Sequence, residues 1–175
     1  TAGGGTTNTA VNNKVEALQI VQNEEKGTYT ITLPTGEQKE SQLVTFPAGK
    51  AGQLVVIVYP DGTEKVVKKA VTENGQTKLL LDTNATVKLV DYANNYSDVA
   101  DGAWYNSAVD FVTGRKLFSG VSDTAFAPDV VFSRAMAATV LYRLAEPDAE
   151  ALDNPFHDVA KDAWYAQSVA WAANV

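Results

Sequence analysis

The chain has 175 residues, of which 45% are hydrophobic and 20% charged, a balance that supports a buried core and excludes wholesale disorder. It has no cysteine, which removes disulfides, thiolate metal sites and a cysteine nucleophile; its single histidine, His157, cannot build a multi-histidine metal site. The net charge of −7 is opposite to the basic footprint that a phosphate backbone requires, so nucleic acid is not an expected partner.

The chain opens at Thr1 with a Gly/Thr-rich stretch, read as a flexible linker over residues 1–13, and the whole is expected to be a piece of something longer. No apolar run reaches the roughly 20 residues of a spanning helix. Up to Val90 there are nine acidic and nine basic residues; after it there are twelve and five, with all three tryptophans. That shift in composition places a domain boundary near residue 91.

Over 14–91 apolar residues alternate, as in Tyr29-Thr30-Ile31-Thr32-Leu33 and Thr86-Val87-Lys88-Leu89-Val90, the period-2 pattern of half-buried strands. The clearest hairpin runs Leu54 to Tyr59, turns through Pro60-Asp61-Gly62 and returns from Thr63 to Lys69. Further turns are expected at Glu24 to Gly27, Pro34-Thr35-Gly36, Ala48 to Gly52 and Glu73-Asn74-Gly75. About seven short strands predict a small antiparallel β-sandwich of immunoglobulin-like kind. Lys65, Lys68 and Lys69 read as a solvated strand face, and the module as a spacer.

The second half repeats itself. Residues 96–115 align without a gap on 156–175 at an offset of sixty, with seven identities: Asp98/Asp158, Val99/Val159, Ala100/Ala160, Ala103/Ala163, Trp104/Trp164, Tyr105/Tyr165 and Val109/Val169. A fixed period marks an array of supersecondary units. In the first unit Trp104, Ala108, Phe111 and Val112 predict a helix reaching about Leu117 that packs through its aromatics. A loop over 121–131 follows, in which Ala127, ahead of Pro128, is expected to be extended. Ser133 is the N-cap expected for a second helix with the stripe Ala137, Val140, Leu141 and Leu144, ending at Glu146-Pro147.

These elements resemble the S-layer homology domain: the aromatic-x-Asp-Val start at Tyr96 to Val99, Trp104-Tyr105, Gly120-Val121, Phe126-Ala127-Pro128, and the Ser-Arg-Ala box of Ser133-Arg134-Ala135. The fold class is therefore expected to be α+β in two modules, the β-sandwich at 14–91 followed by helix-loop-helix repeats at 92–155 and, truncated, at 156–175. The resemblance implies a non-catalytic anchor, secreted to the cell wall or cell surface of a Gram-positive-type envelope, that binds secondary cell-wall polysaccharide, often pyruvylated. It implies no cofactor, and without a spanning apolar run no membrane partner is expected. Ligand contacts are expected from Arg134 first, supported by Ser133, Trp104, Gly120 and Asp98, because a guanidinium offers bidentate donors to a carboxylate and an indole a flat face to a sugar. With a net charge of −7, an anionic polymer has to be won locally, by Arg134, Arg115, Lys116 and Arg143.

The sequence departs from the family where Met136 replaces the usual glutamate after the box, so the reciprocal capping box is expected to be lost. The second unit stops at Val175, so a complete prism of three repeats is not expected from one chain. Read without the resemblance, Asp98 and Asp158 are expected to cap helices rather than bind calcium, the Trp-Tyr pairs to be core, and His157 a capping or surface residue. Two alternatives stand beside the anchor: a structural or adhesion module that self-associates through exposed repeat faces, and the non-catalytic tail of a surface hydrolase.

Overall fold

The computed structural model describes residues 17–34, 41–148 and 152–175, and the expected linker over 1–13 and most of the Pro34-Thr35-Gly36 turn lie outside them. The described residues form eight strands and three helices, a mixed α+β architecture. The strands are β1 (Gln19–Gln22), β2 (Thr28–Thr32), β3 (Gln42–Phe46), β4 (Leu54–Val58), β5 (Glu64–Val66), β6 (Val71–Glu73), β7 (Gln76–Leu81) and β8 (Ala85–Val90). The helices are α1 (Asn106–Gly114), α2 (Arg134–Ala145) and α3 (Ala166–Asn174).

Every strand pairing is antiparallel. One sheet has the order β1-β2-β8-β4-β5 and the other β3-β7-β6. Alternation fixes which side of each strand is buried: Val44 and Phe46 of β3 and Thr77, Leu79 and Leu81 of β7 face in, while Leu43 and Leu80 face out. A single core joins the two sheets, with Ile31, Val55 and Val87 of the first packed with Val44, Phe46, Leu79 and Leu81 of the second.

The turns carry the expected chemistry. Tyr59 and Thr63 close the β4-β5 hairpin, where the Asp61 carboxylate accepts both the N–H and the hydroxyl of Thr63, at 2.9 and 2.7 Å. Those donors, the hydroxyl foremost, hold the Asp61 pKa below its ordinary value. Asn74 and Gly75 both have positive φ, 50° and 71°, the pair that a tight β6-β7 hairpin requires.

Lys65 and Lys68 depart from the reading of a solvated strand face, while Lys69 is exposed. Lys68 donates to the main-chain oxygen of Arg143 at 2.8 Å, and both Lys65 and Lys68 lie 3.5 Å from the Glu146 carboxylate. A cation at the last carbonyls of α2 satisfies an orphan acceptor and meets the negative end of the helix dipole. The lysines therefore join the β half to the helical half.

Arg115 joins them more deeply. It is fully buried, its guanidinium stacks 3.8 Å from the centre of the Phe111 ring, and it donates to the carbonyls of Ala70 (3.2 Å) and Gln53 (3.3 Å) in the β half and of Phe111 (3.4 Å) on its own helix. Burial pulls its pKa below the ordinary guanidinium value. The expectation that Arg115 meets a ligand is thus overturned: its donors are spent on main-chain oxygens in the interior.

Helix α1 also differs from expectation. It begins at Asn106 and stops at Gly114 rather than near Leu117. Lys116 takes φ 55°, its N–H bonds the Thr113 carbonyl, and the Leu117 N–H reaches back to Val112 at 2.9 Å. That 5→2 and 6→1 pair is a Schellman ending, in which lysine holds the left-handed position that glycine usually takes. The buried face is Val109, Thr113 and Gly114, whereas Trp104 is 91% exposed and Ala108 is exposed, so the helix does not pack through its tryptophan. In α2, Ala137, Val140 and Leu144 are half-buried as the stripe predicts, but Leu141 faces outward.

Candidate functional site

The sixty-residue repeat in sequence is a repeat in geometry. Tyr105 and Tyr165 precede α1 and α3 with φ/ψ of −95°/−4° and −103°/−1°. Trp104-Tyr105 and Trp164-Tyr165 are both edge-to-face at 86°, with ring centres 5.5 and 5.1 Å apart. The likeness reaches further upstream than the aligned residues: the Asn94 and Asn154 side-chain oxygens accept from the N–H of Tyr96 and of Phe156, at 3.2 and 3.0 Å. This pair was not singled out in the sequence, although the identity at offset sixty was there to find.

The first copy is held together around its loop. Asp98 accepts from the N–H groups of Phe126 (2.9 Å) and Ala127 (2.7 Å), so it clamps the loop instead of capping α1, which has no side-chain cap. Those two donors, Phe126 first, hold its carboxyl below the ordinary 3.8. Ala127 has φ 61° and so is left-handed rather than extended; its N–H, fixed by Asp98, outweighs the usual preference of a residue before proline. The Gly120 N–H donates to the Tyr96 hydroxyl at 3.0 Å, and a Cβ there would collide with the Ala125 and Ser122 carbonyls and the Tyr96 ring.

The second helix is capped at Ser133 as expected, and the expected loss of the reciprocal box at Met136 is overturned. Ser133 Oγ accepts the Met136 N–H at 3.2 Å, and Met136 Sδ accepts the Ser133 N–H at 3.5 Å. The reciprocal box is therefore kept, with a thioether, a weak acceptor, standing where a carboxylate would be. Capping sets the rotation of α2, so that Met136, Thr139, Val140 and Arg143 line one cleft at i, i+3, i+4, i+7 spacing.

That cleft, about 590 Å³, lies where the first copy meets the second. The loop contributes Gly120, Phe126, Pro128 and Phe132, and the second copy contributes Trp164. α2 and α3 pack together, with Tyr142 edge-on to Trp171 at 5.8 Å, so Trp171 does have a second helix to meet, that of the preceding copy.

The five expected contact residues are brought together only in part. Gly120 lines the cleft, Asp98 fixes the loop residues Phe126 and Ala127 that line it, and Ser133 fixes the helix that forms its wall. Arg134 is exposed at the first position of α2, outside the lining, with no hydrogen bond or ion pair among the described residues. Trp104 lies in a separate cavity of about 330 Å³ with Ala108, Val112 and Asp129. Its equivalent Trp164 holds the cleft position instead, because only the second tryptophan has a preceding α2 to face. His157 is exposed, and no cluster of three or more metal-ligating side chains occurs among the described residues. No helix among them is long and apolar enough to cross a membrane.

Comparison with known proteins bears on this geometry. Residues 95–138, which span the clamp, the loop and the capped start of α2, match the S-layer homology domain. The chain is 25% identical over 79 residues to an amylopullulanase of Thermoanaerobacterium thermosulfurigenes, 45% of this chain and 4% of that one. It is 26% identical over 74 residues to the exoglucanase XynX of Acetivibrio thermocellus, 42% and 7% of the two chains. With cell surface glycoprotein 1 of Acetivibrio thermocellus it shares 45% identity over 49 residues, 28% and 2%. The chain thus spans less than a tenth of the length of each of these relatives. No solved structure matches significantly. Residues 95–138 are thus the part of the chain that carries the S-layer homology domain.

Proposed function

We propose that this chain is a secreted, non-catalytic anchoring module that holds its protein on the cell wall by binding secondary cell-wall polysaccharide, with the β half as spacer. The observation that carries the reading is the cleft that the S-layer homology segment forms with the rest of α2 and with Trp164 of the next copy. An aromatic-walled groove of about 590 Å³ suits sugar rings, since indole and phenyl faces pack on their C–H surfaces. Arg134, unpaired among the described residues, supplies a guanidinium to an acidic group such as a pyruvyl carboxylate. The module boundaries in this reading are 14–91 for an immunoglobulin-like β-sandwich, 92–155 for the first repeat and 156–175 for the start of a second.

Two further readings have support of their own. Trp104 and Val131, 91% and 85% exposed, are apolar surface that self-association would cover. Two of the relatives are named as enzymes of which this chain matches 4% and 7%, which suits the non-catalytic tail of a surface hydrolase.

Co-sedimentation of wild type, Arg134→Ala and Trp164→Ala with Gram-positive sacculi tests the anchor. Loss of binding in either variant with unchanged circular dichroism supports it. Unchanged binding in both, with a change in sedimentation coefficient, supports self-association.

A further inference from the structure

The β half reaches the wall of the cleft. Among the described residues Arg143 is the one charged side chain that lines the cleft, while Arg134 lies outside it. Arg143 is held at both its ends: its Nη1 donates to the Leu117 carbonyl at 3.0 Å, and its own carbonyl accepts from Lys68 Nζ of the β half at 2.8 Å. We propose that Lys68 is a positioning residue for the cleft, fixing the last turn of α2 through the Arg143 carbonyl and with it the guanidinium that the cleft presents to its ligand. That role rests on the cleft being the ligand site, and it gives the β half a task beyond spacing.

The sequence makes the Arg143 carbonyl depend on an outside donor. Within an α-helix it would accept the N–H of the fourth residue on, and that residue is Pro147, which has none. Glu146, left-handed at φ 49°, turns its N–H back to Tyr142 and sets its carboxylate 3.5 Å from both Lys65 and Lys68. The Lys68 side chain is 19% exposed against 54% for Lys65, so Lys68 is the one whose loss leaves an acceptor shielded from water.

The contacts close a circuit. Two positions after Lys68, the Ala70 carbonyl accepts the Arg115 guanidinium at 3.2 Å; two positions after Arg115, the Leu117 carbonyl accepts Arg143; and the Arg143 carbonyl returns to Lys68. Three cations and three main-chain acceptors therefore tie the end of α1, the end of α2 and the β5-β6 connection together. Leu117 and Arg143 both line the cleft, so the circuit sets their separation, and neither helix end can shift against the other without breaking a bond in it.

The test compares full-chain Lys68→Met with Lys68→Arg, Lys65→Met and Val44→Ala, by co-sedimentation with Gram-positive sacculi and by 15N-1H spectra. Lys68→Met keeps the apolar stem without the donor and should bind sacculi about tenfold more weakly, with shifts at the Leu117 to Gly120 amides and at the Arg143 Nε–H. Lys68→Arg restores a donor and should recover most of the affinity. Lys65→Met leaves the Arg143 carbonyl paired and should bind as wild type does. Val44→Ala opens the sandwich core, so it should lower Tm without weakening binding, which separates positioning from loss of stability. Wild-type affinity in Lys68→Met, no recovery in Lys68→Arg, or an equal loss in Val44→Ala overturns the positioning role. If wild type itself fails to sediment with sacculi, the anchor reading falls and the spectra decide alone: shifts at those amides in Lys68→Met but not in Val44→Ala uphold the positioning of the cleft wall, and unshifted amides overturn it.

Discussion

The guanidinium of Arg115 donates to the main-chain oxygen of Ala70 at 3.2 Å, across 45 positions of sequence and from the helical half into the β half. With the Gln53 carbonyl as second acceptor and Phe111 beneath, this buried cation ties the helical half to the β half. Arg115→Ala should leave those carbonyls unpaired around a cavity and cost about 2–4 kcal/mol. Arg115→Met, which refills much of the volume, should recover only part of it. Urea unfolding is the measurement, and two separated transitions in Arg115→Ala would show the modules uncoupled.

Asp98 gives the fold a pH dependence of defined sign. Its carboxyl is held below the ordinary 3.8 by the Phe126 and Ala127 N–H groups, so the unfolded chain takes up the proton first as pH falls. The stabilisation is complete above that ordinary value and lost as pH drops through the lower, folded pKa. Asp98→Asn should therefore lower the urea midpoint relative to wild type at pH 6, with the gap closing under acid. A gap that is constant with pH would contradict the clamp.

Gly120→Ala places a methyl group against two carbonyls and the Tyr96 ring, and the backbone has little room to yield. A loss of about 1–3 kcal/mol is expected, with line broadening at the Ser122 to Ala127 amides. Thermal unfolding and amide spectra measure both.

Met136→Glu replaces the 3.5 Å thioether contact with a carboxylate that accepts the Ser133 N–H and meets the positive end of α2. It should stabilise the fold by about 0.5–1 kcal/mol. Ser133→Ala should cost about 1 kcal/mol. Chemical denaturation of both variants checks the box from its two sides.

Much of this was legible in sequence because it rests on local pattern. The alternation that placed β2 and β8, the Asp61-Gly62 turn, Ser133 as N-cap and Glu146 as the end of α2 are each written within a few residues. The S-layer homology segment was legible from separated short motifs in order. What was misread depends on distant partners. Arg115 and Lys68 look like surface cations until the carbonyls of Ala70, Gln53 and Arg143 are placed beside them, and a main-chain acceptor leaves no trace in residue type. The end of α1 was set too late because lysine occupies the position where glycine would have signalled it. Trp104 and Trp164 are the same residue in the repeat, and only the neighbouring α2 decides which of them lines the cleft.

The central claim is tested most directly by sedimenting the chain with sacculi before and after acid removal of their secondary polymer, with an extended three-repeat version alongside. The anchor account predicts that the three-repeat version pellets with intact sacculi and stays in the supernatant with stripped ones. Equal pelleting with both, or failure of that version to bind intact walls, would contradict it.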